Sequence, residues 1–184
     1  MILPIVAYGD PVLKKMGTEI TKDYPKLDEL LVNMFETMYN AFGVGLAAPQ
    51  IGLPIRVFLV DAEKNELKNF KRVFINAQIM KEEGDEWAFN EGCLSIPEVR
   101  EDVFRQPRIT IMYVDENFKP HTETFDGLIA RVIQHEYDHI EGVLFTDKLS
   151  SLKKRLVKGR LSNISKGKIN VDYRMRFPNQ KKRR

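Results

Sequence analysis

Residues 127–142 read GLIARVIQHEYDHIEG, and this stretch organises the rest of the chain. Asp126 suits an N-cap and Gly142 a stop, so a helix is predicted from Gly127 to about Glu141. His135 and His139 stand four apart, on one face of that helix. Leu128, Val132, His135 and His139 step by four, three and four, so the imidazoles continue an apolar stripe and point inward. Glu136 lies about 100° further round, where it can flank a cation without ligating it. His-Glu-x-x-His in this phase fits two metal-binding imidazoles and a base for a water. Asp138 reads equally as an orienting partner or as a surface charge.

Such a site commonly takes a third protein ligand and leaves a position open. Downstream, Glu141 is off the face, and beyond Asp147 there is one acid, Asp172, and no histidine. Upstream stand His121 and Cys93, the one cysteine of the chain. Cys93 comes after Gly92, which permits close backbone approach, and lies between strand-like regions. A Cys-His-His set is favoured, and its thiolate suits a soft or redox-capable metal.

Working outward, 25–42 is an amphipathic helix. Its apolar stripe is Leu27, Leu30, Leu31, Met34, Phe35, Met38, Tyr39 and Phe42, with Pro25 in the first turn and Gly43 as the stop. Strands are predicted at Val57–Val60, Val73–Ile75, Ile109–Val114 and Thr122–Phe125. The fold class is α+β: mixed and antiparallel sheets packed around a central metal-binding helix, with an N-terminal amphipathic helix.

The 184 residues suffice for one core, and 43% hydrophobic with 30% charged content is ordinary for a globular domain. No apolar run approaches a membrane span, and no leader-like stretch opens the chain, so a cytoplasmic location is expected. The single cysteine fits a reducing compartment. The net charge of +3 hides an asymmetry: from Lys148 onward 14 Lys and Arg face one acid. This basic tail reads as a solvated end or as an arm meeting a polyanion such as RNA.

Three segments coincide with one family. Gly43-Val44-Gly45-Leu46-Ala47-Ala48-Pro49-Gln50, Glu91-Gly92-Cys93-Leu94-Ser95 and Gln134-His135-Glu136-Tyr137-Asp138-His139 resemble, in order and spacing, the motifs of bacterial-type peptide deformylases. The likeness runs over about 2–150. The first motif imitates a dinucleotide fingerprint, but a helix precedes it and Pro49 comes soon after, so that reading is rejected.

The resemblance implies a metal hydrolase that removes the formyl group from the N-terminal formyl-methionine of nascent chains and releases formate. It implies Cys93, His135 and His139 as ligands of ferrous iron, with zinc, nickel or cobalt able to replace it. Glu136 is implied as the proton-transferring residue, and the Gln50 amide and Leu94 N–H as donors to the formyl oxyanion. Val44, Gly45 and Gly92 are implied to hold the substrate as an extended strand. Val44, Leu128, Val132 and His135 would line the methionine pocket, with Phe89 and Arg131 at related positions, Arg131 lending its aliphatic stem. Arg100 reads as a peptide contact or a surface charge.

The chain divides into a catalytic domain over 1–150 and a basic extension over 151–184. The extension is read as a short helix over Ser150–Leu161, a strand over Ile169–Phe177 and a frayed end over Pro178–Arg184. A monomer is expected, with ribosomal RNA as a partner of the tail and no membrane contact. The competing readings are a zincin-type metalloendopeptidase, which would tolerate loss of Cys93, and a non-enzymatic RNA-binding module with a closed structural metal.

Overall fold

The computed structural model describes residues 1–62 and 70–180. The elements are β1 (Ile5–Val6), α1 (Leu27–Asn40), β2 (Gly45–Ala47), β3 (Val57–Asp61), β4 (Lys71–Glu83), β5 (Trp87–Cys93) and β6 (Ile96–Arg105). They continue as β7 (Arg108–Val114), β8 (Pro120–Asp126), α2 (Gly127–Ile140), α3 (Ser151–Ser165) and β9 (Met175–Arg176). Five strands form an antiparallel sheet in the order β2-β3-β4-β7-β8. The β5-β6 hairpin stands apart, and β1 pairs in parallel with β9.

Strand periodicity explains the layering. Val57 and Leu59 of β3 pack with Leu27, Leu31, Met34 and Met38 of α1. Phe58 and Val60 point the other way, toward Ala130, Ile133 and Ile140 of α2. A strand covered on both faces reads as a continuous apolar run, as Val-Phe-Leu-Val does here. A third cluster joins Ile96, Val99 and Val103 of β6 to Val157, Leu161 and Ile164 of α3. Helix α2 therefore lies between the sheet and the hairpin, the α+β arrangement expected of a central helix. One side of it packs on apolar residues, and the side carrying the histidines faces the hairpin.

Several boundaries differ from expectation. Helix α1 begins at Leu27 because Lys26, with φ at 56°, is left-handed and cannot continue a helix through Pro25. At its other end Phe42, not Gly43, takes the left-handed position, at φ 57°, and the Gly43 N–H closes on the Met38 carbonyl at 2.9 Å. Phe42 is 88% exposed rather than part of the core stripe. Asp126 precedes α2 as expected, but its side chain makes no cap bond and instead pairs with Arg108 at 3.1 Å.

The tail also needs correction. Helix α3 passes through Gly159 to Ser165, capped by Ser150, whose hydroxyl accepts from Lys153 N–H at 3.3 Å. Gly159 faces open surface, so its missing side chain leaves no gap in the packing. The strand expected over Ile169–Phe177 shrinks to Met175–Arg176, because β1 offers only two residues to pair with. Pro178–Gln180 is not free: Asn179 N–H donates to the Ser165 carbonyl at 3.0 Å. Residues 181–184 of the expected frayed end lie outside the described residues.

Candidate metal centre and substrate cleft

Helix geometry places Nε2 of His135 and His139 on one side of α2, and the β5-β6 hairpin brings Cys93 to meet them. One donor atom each from Cys93, His135 and His139 lies within 4.8 Å of the others, and Cys93 Sγ is 3.3 Å from His139 Nε2. A thiolate and two imidazoles with this convergence fit a divalent transition metal. His121, the other upstream candidate, lies elsewhere: it pairs with Asp115 at 2.8 Å and stacks on Tyr113.

The ring orientations are set from behind. Glu91 Oε2 lies 2.9 Å from His135 Nδ1, which leaves Nε2 to the site. Glu91 also accepts from Arg105 Nε at 2.7 Å, Arg105 Nη2 at 3.0 Å and Arg131 Nη1 at 3.0 Å. Arg105 reaches on to Asp138 at 2.7 Å, so Asp138 orients an arginine rather than facing water freely. Burial raises the Glu91 carboxyl, but hydrogen bonds from His135 and Arg105 outweigh it and hold it well below the usual carboxylate range.

In the metal-free chain the two imidazoles diverge. Burial lowers His135, yet its hydrogen bonds with Cys93 and Glu91 prevail and raise it to about 10. Burial and the neighbouring His135 charge lower His139 well below the ordinary value.

Glu136 is 5% exposed. Burial drives its carboxyl up, opposed by the His135 charge and helped by Glu91, to about 7. Its Oε2 has no hydrogen-bond partner among the described residues, as expected of a group held for a reactant rather than for structure. The side chain lies flat on the backbone of β2: a Cβ at Gly45 would come 2.5 Å from Oε1 and 2.7 Å from Cγ. The glycine is there to make room for the carboxylate.

Gln50 is buried in the turn after β2. Its Oε1 accepts from Ala47 N–H at 2.8 Å, which turns the amide NH2 toward Cys93 Sγ at 3.5 Å and Ser95 Oγ at 3.4 Å. Leu94 occupies the turn between β5 and β6, directly after the sulfur.

These groups open on one cavity of about 960 Å³. Val44, Gly45, Gln50, Phe89, Gly92, Cys93, Leu94, Arg100, Leu128, Arg131, Val132, His135 and Glu136 line it, and His139 lies just behind. Phe42 and Glu98, both exposed, also line it. Arg131 is more than an aliphatic stem: its guanidinium donates to the Trp87 carbonyl at 2.7 Å and lies 4.6 Å from the Trp87 ring centroid. Arg100 donates to the Asn90 carbonyl at 2.7 Å and stands over Gly92, where a Cβ would come within 2.8 Å of it. Sequence reasoning missed Arg105 and Tyr173, and it took Glu91 only as part of a motif.

A profile of the polypeptide deformylase family matches residues 2–155. The chain belongs to the polypeptide deformylase family. A peptide deformylase of Christiangramia forsetii is 69% identical over 196 residues, covering the whole of both chains. One of Flavobacterium johnsoniae is 65% identical over the same span. The crystal structure of a peptide deformylase from Legionella pneumophila matches with a TM-score of 0.82 at 36% identity, covering 91% of this chain and 98% of that one. Peptide deformylases are metalloenzymes that remove the N-formyl group of nascent polypeptides, and the endopeptidase and RNA-module readings are not favoured. Among the described residues no helix is long and apolar enough to cross a membrane.

Proposed function

We propose that this chain hydrolyses the formyl amide of formyl-methionyl peptides with Cys93, His135 and His139 holding ferrous iron, a site that zinc, nickel or cobalt also fits. The observation that carries this is the convergence of those three donors beside a buried Glu136 whose Oε2 has no hydrogen-bond partner among the described residues. A divalent cation there supplies Lewis-acid chemistry, polarising the carbonyl and making a water acidic. Glu136 takes the proton of the attacking water and returns it to the leaving amine. The Gln50 NH2 and Leu94 N–H donate to the oxygen on which negative charge develops, each worth about 3 kcal/mol. Val44, Gly45 and Gly92 line the cleft, and their backbone groups suit an extended peptide. Phe89, Leu128, Val132 and the Arg131 stem form the apolar side that receives methionine, and Arg100 meets the residues beyond it.

The test is formate release from a formyl-Met peptide by anaerobically prepared, metal-quantified protein. Turnover that tracks iron content supports the reading, and turnover independent of Cys93 or of metal overturns it. The single cysteine supports a reducing cytoplasm, and the monomer read from the sequence is checked by sedimentation. The exposed Lys154, Arg155, Lys158, Arg160 and Lys166 of and beside α3 support contact of the basic extension with ribosomal RNA. Ribosome binding should then weaken steeply with salt and fall when Lys154, Arg155 and Lys158, all on the exposed side of α3, are changed to Glu; binding that ignores ionic strength removes this part.

A further inference from the structure

The segment after α3 returns to the cleft. Gly167, at φ 66°, reverses the chain. The tail then locks beside β1: Ile5 N–H donates to the Arg174 carbonyl and Ala7 N–H to the Arg176 carbonyl, both at 2.9 Å. This register sends Tyr173 and Met175 the same way, onto the α1 core. The Tyr173 ring forms part of the cavity wall, and its hydroxyl donates to the Leu94 carbonyl at 2.8 Å. From the other side, Tyr8 N–H donates to the Ser95 carbonyl at 2.8 Å. Both carbonyls of the turn after the Cys93 sulfur are therefore held from outside the hairpin.

That turn needs outside support. The β5-β6 ladder loses register between Gly92 and Cys93, so strand pairing alone does not fix residues 94 and 95. We propose that Tyr173 is a positioning residue for deformylation: its hydroxyl holds the Leu94–Ser95 turn, and with it the Leu94 N–H, in the orientation that receives the formyl oxygen. The inference rests on the reading of Leu94 as an oxyanion donor. Tyr173 lies beyond residue 155, where the family profile ends, so the basic extension contributes to the site as well as to the surface.

Tyr173→Phe removes the hydroxyl and keeps the ring packing. Since a 1 Å displacement of a reacting group costs about 100-fold, loosening one donor should lower kcat about 5- to 20-fold. KM for a formyl-Met peptide and metal content should stay within about twofold, since the variant removes no substrate or metal contact. In the zinc-loaded protein the Ser95 amide 15N resonance should move, because the carbonyl of its own peptide loses its donor. An unchanged kcat, an unmoved Ser95 resonance, or a rise in KM alone overturns the proposal; the last would make Tyr173 a substrate contact. Gln50→Leu separates the two readings. If it slows turnover while Tyr173→Phe does not, the positioning role fails and the Gln50 donor stands; if both are silent, the oxyanion assignment fails too.

Discussion

Nδ1 of His135 and Oε2 of Glu91 lie 2.9 Å apart, and through this contact a cleft-facing imidazole is tied to two buried arginines. Glu91, Arg105 and Arg131 are each at most 4% exposed. The carboxylate neutralises charges that otherwise have little access to water, while its position decides which nitrogen of His135 faces Cys93. Stability and site geometry therefore share one residue.

Glu91→Ala should be severely destabilising. Removing one partner of a buried ion pair leaves charge uncompensated and costs about 3–5 kcal/mol. For a chain of this size each kcal/mol lowers the melting temperature by about 2–4 °C, so calorimetry should show a drop of roughly 6–20 °C. Glu91→Gln keeps an acceptor for one arginine and should fall between. A wild-type melting temperature in the alanine variant would refute the network.

The same carboxylate sets an acid limit. Its folded value is depressed below the ordinary 4.5, so the unfolded chain binds its proton first as pH falls. The stabilisation is fully present above about pH 5 and is lost progressively as the pH drops through 4.5 and below. Urea unfolding of Glu91→Gln should show a shallower loss of stability across that acid window than the wild type. Parallel pH profiles would mean that other carboxylates carry the acid sensitivity.

Glu136 works with the opposite sign. Its folded value, about 7, lies above the ordinary 4.5, so its contribution is fully present below 4.5 and lost as pH rises through 7. A buried carboxylate whose Oε2 has no partner thus destabilises the metal-free chain at pH 8, on the order of 3 kcal/mol. Glu136→Gln should raise the melting temperature of metal-free protein at pH 8 and change it little at pH 4. The same variant should keep its metal and lose about 100- to 10,000-fold in kcat. Equal melting temperatures at pH 8 would show that the carboxylate is better solvated than its burial implies.

How far the sequence discloses this architecture depends on which residues face inward. Helix α2 was legible because His135 and His139 interrupt an apolar stripe in phase with it, and β3 because four apolar residues run together. The β5-β6 hairpin was not, although it carries Cys93. Its inward positions mix Val99 and Val103 with the buried charges of Glu91 and Arg105, so the apolar alternation that marks a strand is broken. Arg105 pairs with Glu91 from 14 residues away, and no local pattern announces such a partner. Tyr173 was hidden for a related reason: a two-residue strand has no periodicity to read, and its bond to Leu94 spans 79 residues. Cys93, Gln50 and Glu136 were visible only through short motifs whose spacing reports chemistry rather than packing.

Gly45→Ala probes the fit between β2 and the carboxylate. The added methyl would lie 2.5 Å from Glu136 Oε1 and 2.7 Å from both Cδ and Cγ, closer than carbon atoms approach. The strand has little room to retreat: β2 is the edge of the sheet, but all three of its residues are buried, and Gly45 and Leu46 are paired with Val60 and Leu59 of β3. Glu136 must therefore rotate away from the backbone. Since misplacing a reacting group by about 1 Å costs about 100-fold, kcat should fall by at least that much. Metal content should hold, because Cys93, His135 and His139 do not touch the new methyl group. The overpacking itself should cost about 1–3 kcal/mol, so the variant remains folded and assayable. Near-wild-type turnover in Gly45→Ala would mean that Glu136 acts from a different position and that its contact with β2 is incidental.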